Sequence, residues 1–177
     1  RRTVGYVAQF FSLYSIFSVG FNLKFYGGAY GLFGNKLKTA MDAVVRRFGL
    51  TGLISKKAGG LNDGYKKRLS MAVALMHNPD ILFLDEPTSS IDPLARRLFW
   101  RSINRLADEG KAIIVTTHFM EEAEYCTRIA IQDRGHMLAL GSPKEVKAVA
   151  GLPETANMNE AFIKIVKAYG EAGSADD

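Results

Sequence analysis

The sequence predicts an α/β fold in which helices cover a mostly parallel sheet, and three observations carry that prediction. Ile81-Leu82-Phe83-Leu84 and Ala112-Ile113-Ile114-Val115 are short continuous apolar runs bounded by turn or polar residues. Strands buried on both faces of a parallel sheet read this way. A helical pattern from Pro93 to Asp108 lies between them, giving the order strand, helix, strand. The 177 residues are 47% hydrophobic and 11% aromatic, enough to pack a core, and 23% charged, so disorder throughout is excluded. The length suits one domain or a piece cut from a larger one.

In chain order, Val4-Gly5-Tyr6-Val7-Ala8 reads as a strand. Helical patterns follow near Asn22 to Tyr30, Lys36 to Phe48 and Tyr65 to Met76, with no buried strand among them. Phe21 to Leu61 carries two of these patterns and no buried strand, so a helical insertion between two parts of a sheet is expected there, within a helical subdomain set at 21–79, after an entry region at 1–20 and before core strands and their connections at 80–142. A short helix is predicted from Met120 to Cys126. Arg128 to Asp133 and His136 to Leu140 flank Arg134-Gly135, the pattern of a hairpin. Ser142 and Pro143 suit the N-cap and first turn of another helix, opening a C-terminal helical part at 143–170. Its last helix spans Met158 to Ala168, with Phe162, Ile163, Ile165 and Val166 on its apolar face, and 171–177 reads as a tail.

Charge and cysteine usage narrow the function classes. The net charge is +5, which on a chain of this size reads as scattered solvated charge, and no nucleic-acid partner is expected. Cys126 is the only cysteine, so no intrachain disulfide forms and a reducing compartment is expected. No stretch reaches the ~20 apolar residues of a membrane-spanning helix. Arg1-Arg2 lead straight into a strand without an initiating Met, so the chain is expected to begin inside a longer protein.

The strongest chemical signal is Ile81 to Leu84 running into Asp85 and Glu86. Acids at the carboxyl end of a buried strand sit where ligands bind in open α/β sheets. Magnesium takes oxygen ligands and keeps waters, so Asp85 can anchor it while Glu86 accepts a proton from an attacking water.

Together with four other stretches, this one resembles the nucleotide-binding domain of ABC transporters across nearly the whole chain. Val4 to Gln9 resembles the strand entering the Q-loop. Leu61-Asn62-Asp63-Gly64-Tyr65-Lys66-Lys67-Arg68 occupies the signature position, and Ile81 to Glu86 is similar to Walker B. Ser90-Ile91-Asp92-Pro93 resembles the D-loop, and Thr116-Thr117-His118 the strand end with the switch histidine. Phe11-Ser12-Leu13-Tyr14, His118 to Glu124 and Asn159-Glu160-Ala161-Phe162-Ile163 resemble the ABC-2 drug-export type, in particular the C-terminal ATPase half of tandem multidrug exporters.

The resemblance implies a P-loop NTPase (RecA-like) sheet with a helical subdomain, truncated at its N-terminus, and the cofactors ATP and Mg2+. It implies that Gln9 contacts the metal or attacking water, Asp85 the metal, and that Glu86 and His118 are catalytic. Asn62, Asp63, Gly64 and Tyr65, with Ser90 and Asp92, would meet nucleotide at the seam with a second ABC nucleotide-binding domain. An integral-membrane permease is the other partner, which places the protein peripherally on the cytoplasmic face of the inner membrane. Taken singly, Gln9 reads equally as a polar strand end, His118 as a core histidine and Asp92 as an N-cap. The aromatic residues Phe10, Phe11, Tyr14, Phe17 and Phe21 suit either packing inside the helical part or a permease-docking groove.

Two departures stand out. No Gly-x-x-x-x-Gly-Lys-Ser/Thr occurs, so the phosphate-cradling loop is missing and the isolated chain is expected to lack ATPase activity and to dissolve poorly. In the signature, Asn62, Asp63 and Tyr65 stand where Ser, Gly and Gln are usual. A carboxylate about 4 Å from a phosphate charge costs roughly 4 kcal/mol at an effective dielectric of 20, unless Asp63 turns away to cap the helix that Tyr65 starts. An ABC domain acting on ribosomes or DNA, or a non-hydrolysing half, are the competing readings.

Overall fold

The structure, a computed structural model, describes residues 3–89 and 91–173. The chain divides into two compact units, Arg1–Thr116 and Thr117–Asp177.

The first unit is built on three parallel strands, β1 (Val4–Val7), β2 (Ile81–Asp85) and β3 (Ala112–Thr116), in the order β1-β2-β3. The register pairs Val7 with Leu84 and Asp85 with Thr116, so the strands' carboxyl ends are level. Helix α1 (Val19–Ala29), α2 (Gly34–Arg47), two 3-10 turns and α3 (Asp63–Leu75) lie between β1 and β2. α4 (Pro93–Asp108) makes the crossover to β3. α4 buries Phe99, Trp100, Ile103 and Leu106, a helical stripe. α3 packs on β1 because Gly5 has no side chain: a Cβ there would lie 2.6 Å from the Ala74 carbonyl oxygen.

Several expectations shift. α1 starts at Val19, because Ser18 Oγ accepts the Phe21 N–H and caps it. α3 starts at Asp63 rather than Tyr65. Within this stretch of chain Tyr6, Phe83 and Ile114, in register across the sheet, are 57%, 39% and 52% exposed.

In the second unit, α5 is only Met120–Ala123, shorter than predicted. β4 (Ile129–Asp133) and β5 (His136–Gly141) form the hairpin. Its turn residues Arg134 and Gly135 both have positive φ, 46° and 83°, matching the strands' twist. Ser142 and Glu145 form a reciprocal capping box at the start of α6 (Pro143–Val149). α7 runs from Met158 to Gly173, past the expected end. Its buried residues are Met158, Ala161 and Ile165, packed on Ile131, Ala139 and Val146. Ile163, expected on the apolar face, is exposed.

Candidate functional site

At the level carboxyl ends of the three strands, polar side chains from distant parts of the sequence converge. The Tyr6 hydroxyl donates to Asp85 Oδ2 at 3.2 Å, and Thr116 Oγ1 donates to Asp85 Oδ1 at 2.7 Å. Both carboxylate oxygens are thus oriented. Gln9 Nε2 donates to Glu86 Oε2 at 2.7 Å, and the Glu86 amide donates to the Thr116 carbonyl and hydroxyl oxygens. The Glu86 backbone sits at φ 37°, a left-handed conformation costing a non-glycine residue about 1–2 kcal/mol. Such strain persists where the surroundings over-determine it, and it collects at functional sites.

Asn62, Asp63, Gly64 and Tyr65 gather elsewhere in the same unit. Asn62, not Asp63, is the N-cap of α3: its Oδ1 accepts the Tyr65 N–H at 2.9 Å. Asp63 turns to Lys66, with Oδ1 3.3 Å from Nζ. These residues and Asp92 border an open cavity of about 780 Å³, which also takes Arg46, Arg68, Arg101 and Arg105. That arginine surround and the pairing with Lys66 offset the repulsion expected of Asp63. Among the described residues a Cβ at Gly64 would meet only Asn62 Oδ1, at 3.6 Å. Asp92 Oδ1 accepts the Ala95 N–H at 2.9 Å, so it is an N-cap whatever else it does.

His118 follows β3 by two residues; it is exposed within this stretch of chain, its ring centroid 4.2 Å from that of Phe119. Ser90 lies outside the described residues. Tyr14, Phe17, Phe21, Phe25 and Tyr26 form a chain of rings with successive centroids 4.2–6.3 Å apart. Most of these rings remain exposed. The buried Asn22 ties this segment to α1 by accepting the Tyr14 N–H and donating to the Tyr14 and Ser18 carbonyls.

Tyr6, Thr116 and Lys67 were not read from the sequence as site residues. The first two become legible only once strand register is known. Lys67 is buried. Its Nζ donates to the Gln9 and Ala8 carbonyls. Burial pushes its ammonium below the usual lysine range, while Asp85, Asp63 and Glu86 act in the opposite sense. Its spacing four residues before buried Met71 was the available signal.

Among the described residues no group of three or more His, Cys, Asp or Glu could hold a metal ion. A magnesium ion held by one or two carboxylates together with phosphates and waters needs no such group, and the oriented oxygens of Asp85 fit it.

A parallel sheet with oriented acids at its carboxyl ends and a helical insertion defines a P-loop NTPase fold. The family described as ABC transporter matches residues 1–89, and one described as AAA domain, putative AbiEii toxin, Type IV TA system matches residues 61–122. The chain belongs to the ABC transporter family. It is 46% identical over 168 residues to the "Probable multidrug ABC transporter ATP-binding protein YbhF" of Escherichia coli, covering 94% of this chain and 29% of that protein. It is 40% identical over 144 residues to the Nod factor export ATP-binding protein I of a Rhizobium strain, covering 81% and 47%. A solved ATP-binding subunit of an ABC transporter superposes with a TM-score of 0.80 at 25% identity, covering 94% of this chain and 69% of that one. For cbiO1 from Clostridium perfringens, part of the ABC transporter complex cbiONQ, the TM-score is 0.75 at 30% identity, covering 84% and 60%. The chain therefore spans under half the length of these two sequence relatives. Among the described residues no helix is long and apolar enough to cross a membrane.

Proposed function

We propose that this chain is part of the ATP-hydrolysing subunit of an ABC-type exporter that drives a drug or other small molecule through a membrane permease. The observation that carries the reading is the Gln9–Glu86 hydrogen bond at 2.7 Å beside an Asp85 held by two hydroxyls. In phosphoryl transfer the protein mostly positions phosphate, metal and water, and these residues supply a base, a metal carboxylate and a neutral polar sensor on neighbouring strand ends.

In this reading Glu86 Oε takes the proton of the attacking water, and Gln9, already on Glu86, orients that water and contacts the metal. Asp85 holds Mg2+, which when bound neutralises phosphate charge. His118 holds the γ-phosphate by the same family likeness. Asn62, Asp63, Gly64 and Tyr65, with Ser90 and Asp92, face ATP seated on a second nucleotide-binding domain. The N-terminus of α3 offers that anion free N–H groups, and the arginines around the cavity add charge. The division 1–20, 21–79, 80–142 and 143–170 follows from the same assignment. The exposed ring chain around Tyr14 receives a helix of the permease at the cytoplasmic face of the membrane. Drug or small-molecule export rests on the likeness to the relatives named above.

Glu86→Gln in the whole protein tests this: turnover should fall while ATP stays bound. Unchanged turnover would leave Glu86 a spectator and favour a non-hydrolysing half.

A further inference from the structure

Resting on the ATPase reading, we propose that Lys67 is a positioning residue that clamps the end of β1 to α3, holding the Gln9 amide on Glu86 and tying it to the helix that begins at Asn62.

The β1–β2 ladder stops at Val7 and Leu84, so Ala8 and Gln9 lie beyond the last paired residues. The Lys67 ammonium takes both of their carbonyls. Gln9 in turn spends its side-chain amide on Glu86. One buried cation therefore fixes the backbone from which the water-facing side chain projects. Burying an ammonium is costly unless it is hydrogen-bonded, and the neighbouring buried positions of α3 are Leu69, Met71, Ala72 and Val73. A methionine in place of Lys67 would pack on that face without the desolvation penalty, so the lysine's distinctive contribution is its pair of carbonyl contacts.

The clamp also has a direction. Lys67 stands little more than a turn from the Asn62 cap, on the same rigid helix. A shift of the Asn62–Tyr65 end against an anion on a second domain would reach Gln9 through one side chain. The strand-end acids would then respond to occupancy of the opposite site.

The test uses the whole protein with Lys67→Met, Lys67→Arg, Gln9→Ala and the double variant. The expected result is a fall in kcat of about tenfold for Lys67→Met with KM for ATP nearly unchanged, no further loss in the Gln9→Ala background, and recovery with Lys67→Arg. Backbone deuterium exchange over residues 8–12, measured without nucleotide, should rise in Lys67→Met and return in Lys67→Arg. Losses that multiply, a lowered melting temperature with kcat intact, or unchanged exchange would overturn the clamp. A wild-type protein that never turns over ATP would overturn the ATPase reading instead, and the exchange comparison would then decide the clamp by itself. If Lys67→Met does not fold, Lys67→Gln carries the same two readouts.

Discussion

The strand-end cluster and the start of α3 are both polar sites in one unit, yet they are assembled in opposite ways. Tyr6, Gln9 and Thr116 reach Asp85 and Glu86 across 79, 77 and 31 residues of sequence. Asn62 reaches Tyr65 across three. The first arrangement exists only while the sheet holds its register. The second is a helix cap that forms wherever that helix forms. Geometry at the strand ends is therefore sensitive to every contact that sets register, whereas an unusual residue in the signature has local consequences that its immediate neighbours offset.

The largest expected effect falls on the strand ends. Glu86→Gln should lower turnover by about a hundredfold or more, the ordinary contribution of a positioned base, with nucleotide still retained on a filter-binding assay. Loss of nucleotide binding in parallel would mean that Glu86 holds ligand rather than a proton.

Thr116→Val keeps the shape and removes both the hydroxyl on Asp85 and a second acceptor for the Glu86 amide. Turnover should drop about tenfold, most steeply at low magnesium, since a disoriented carboxylate binds the metal less well. A magnesium titration that superposes on the wild type would show that register alone orients Asp85.

On the other side of the comparison the effects are smaller. Replacing Asn62 and Asp63 together by Ser and Gly should raise turnover of the whole protein, by less than about tenfold because Lys66 and the arginine surround already screen Asp63. No change would show that the signature as it stands is not weakened.

The smallest effect concerns the Arg47–Glu109 pair. Both Arg47 guanidinium nitrogens bond Glu109 at 2.8 and 2.9 Å, tying the end of α2 to the end of α4. The Arg47 hydrogen bond holds the Glu109 carboxyl below its ordinary value of 4.5. A depressed carboxylate stabilises the fold above 4.5 and loses that contribution as pH falls through the lower folded value. The pair is partly exposed, so Arg47→Met should reduce stability at pH 7 by under about 1 kcal/mol and flatten its acid dependence. An acid unfolding curve parallel to the wild type would remove the pair from the account.

Much of the fold was legible because its signals are local. The apolar runs at Ile81 and Ala112 became strands, Asp92 and Ser142 became caps, and Arg134-Gly135 became the hairpin turn, each through chemistry contained within a few residues. Asp85 and Glu86 were legible as strand-end acids for the same reason, whereas Gln9 was singled out by the resemblance of its stretch to a family motif. The burial of Lys67 was not legible because charge is a good guide to exposure only where no buried carbonyls await a donor, and those carbonyls belong to residues 58 and 59 positions away.

By itself, then, the sequence determined the parallel α/β class, the order of the elements and the pair of acids that ends β2. Backbone hydrogen bonding, side-chain periodicity and capping act over a turn or a strand and can be read one segment at a time. Only the tertiary structure decided that Tyr6 and Thr116 orient Asp85, that Gln9 rests on Glu86 and that Lys67 holds Gln9. Each of these depends on which strand lies beside which and at what register, a consequence of how the whole unit packs rather than of any one stretch of the chain.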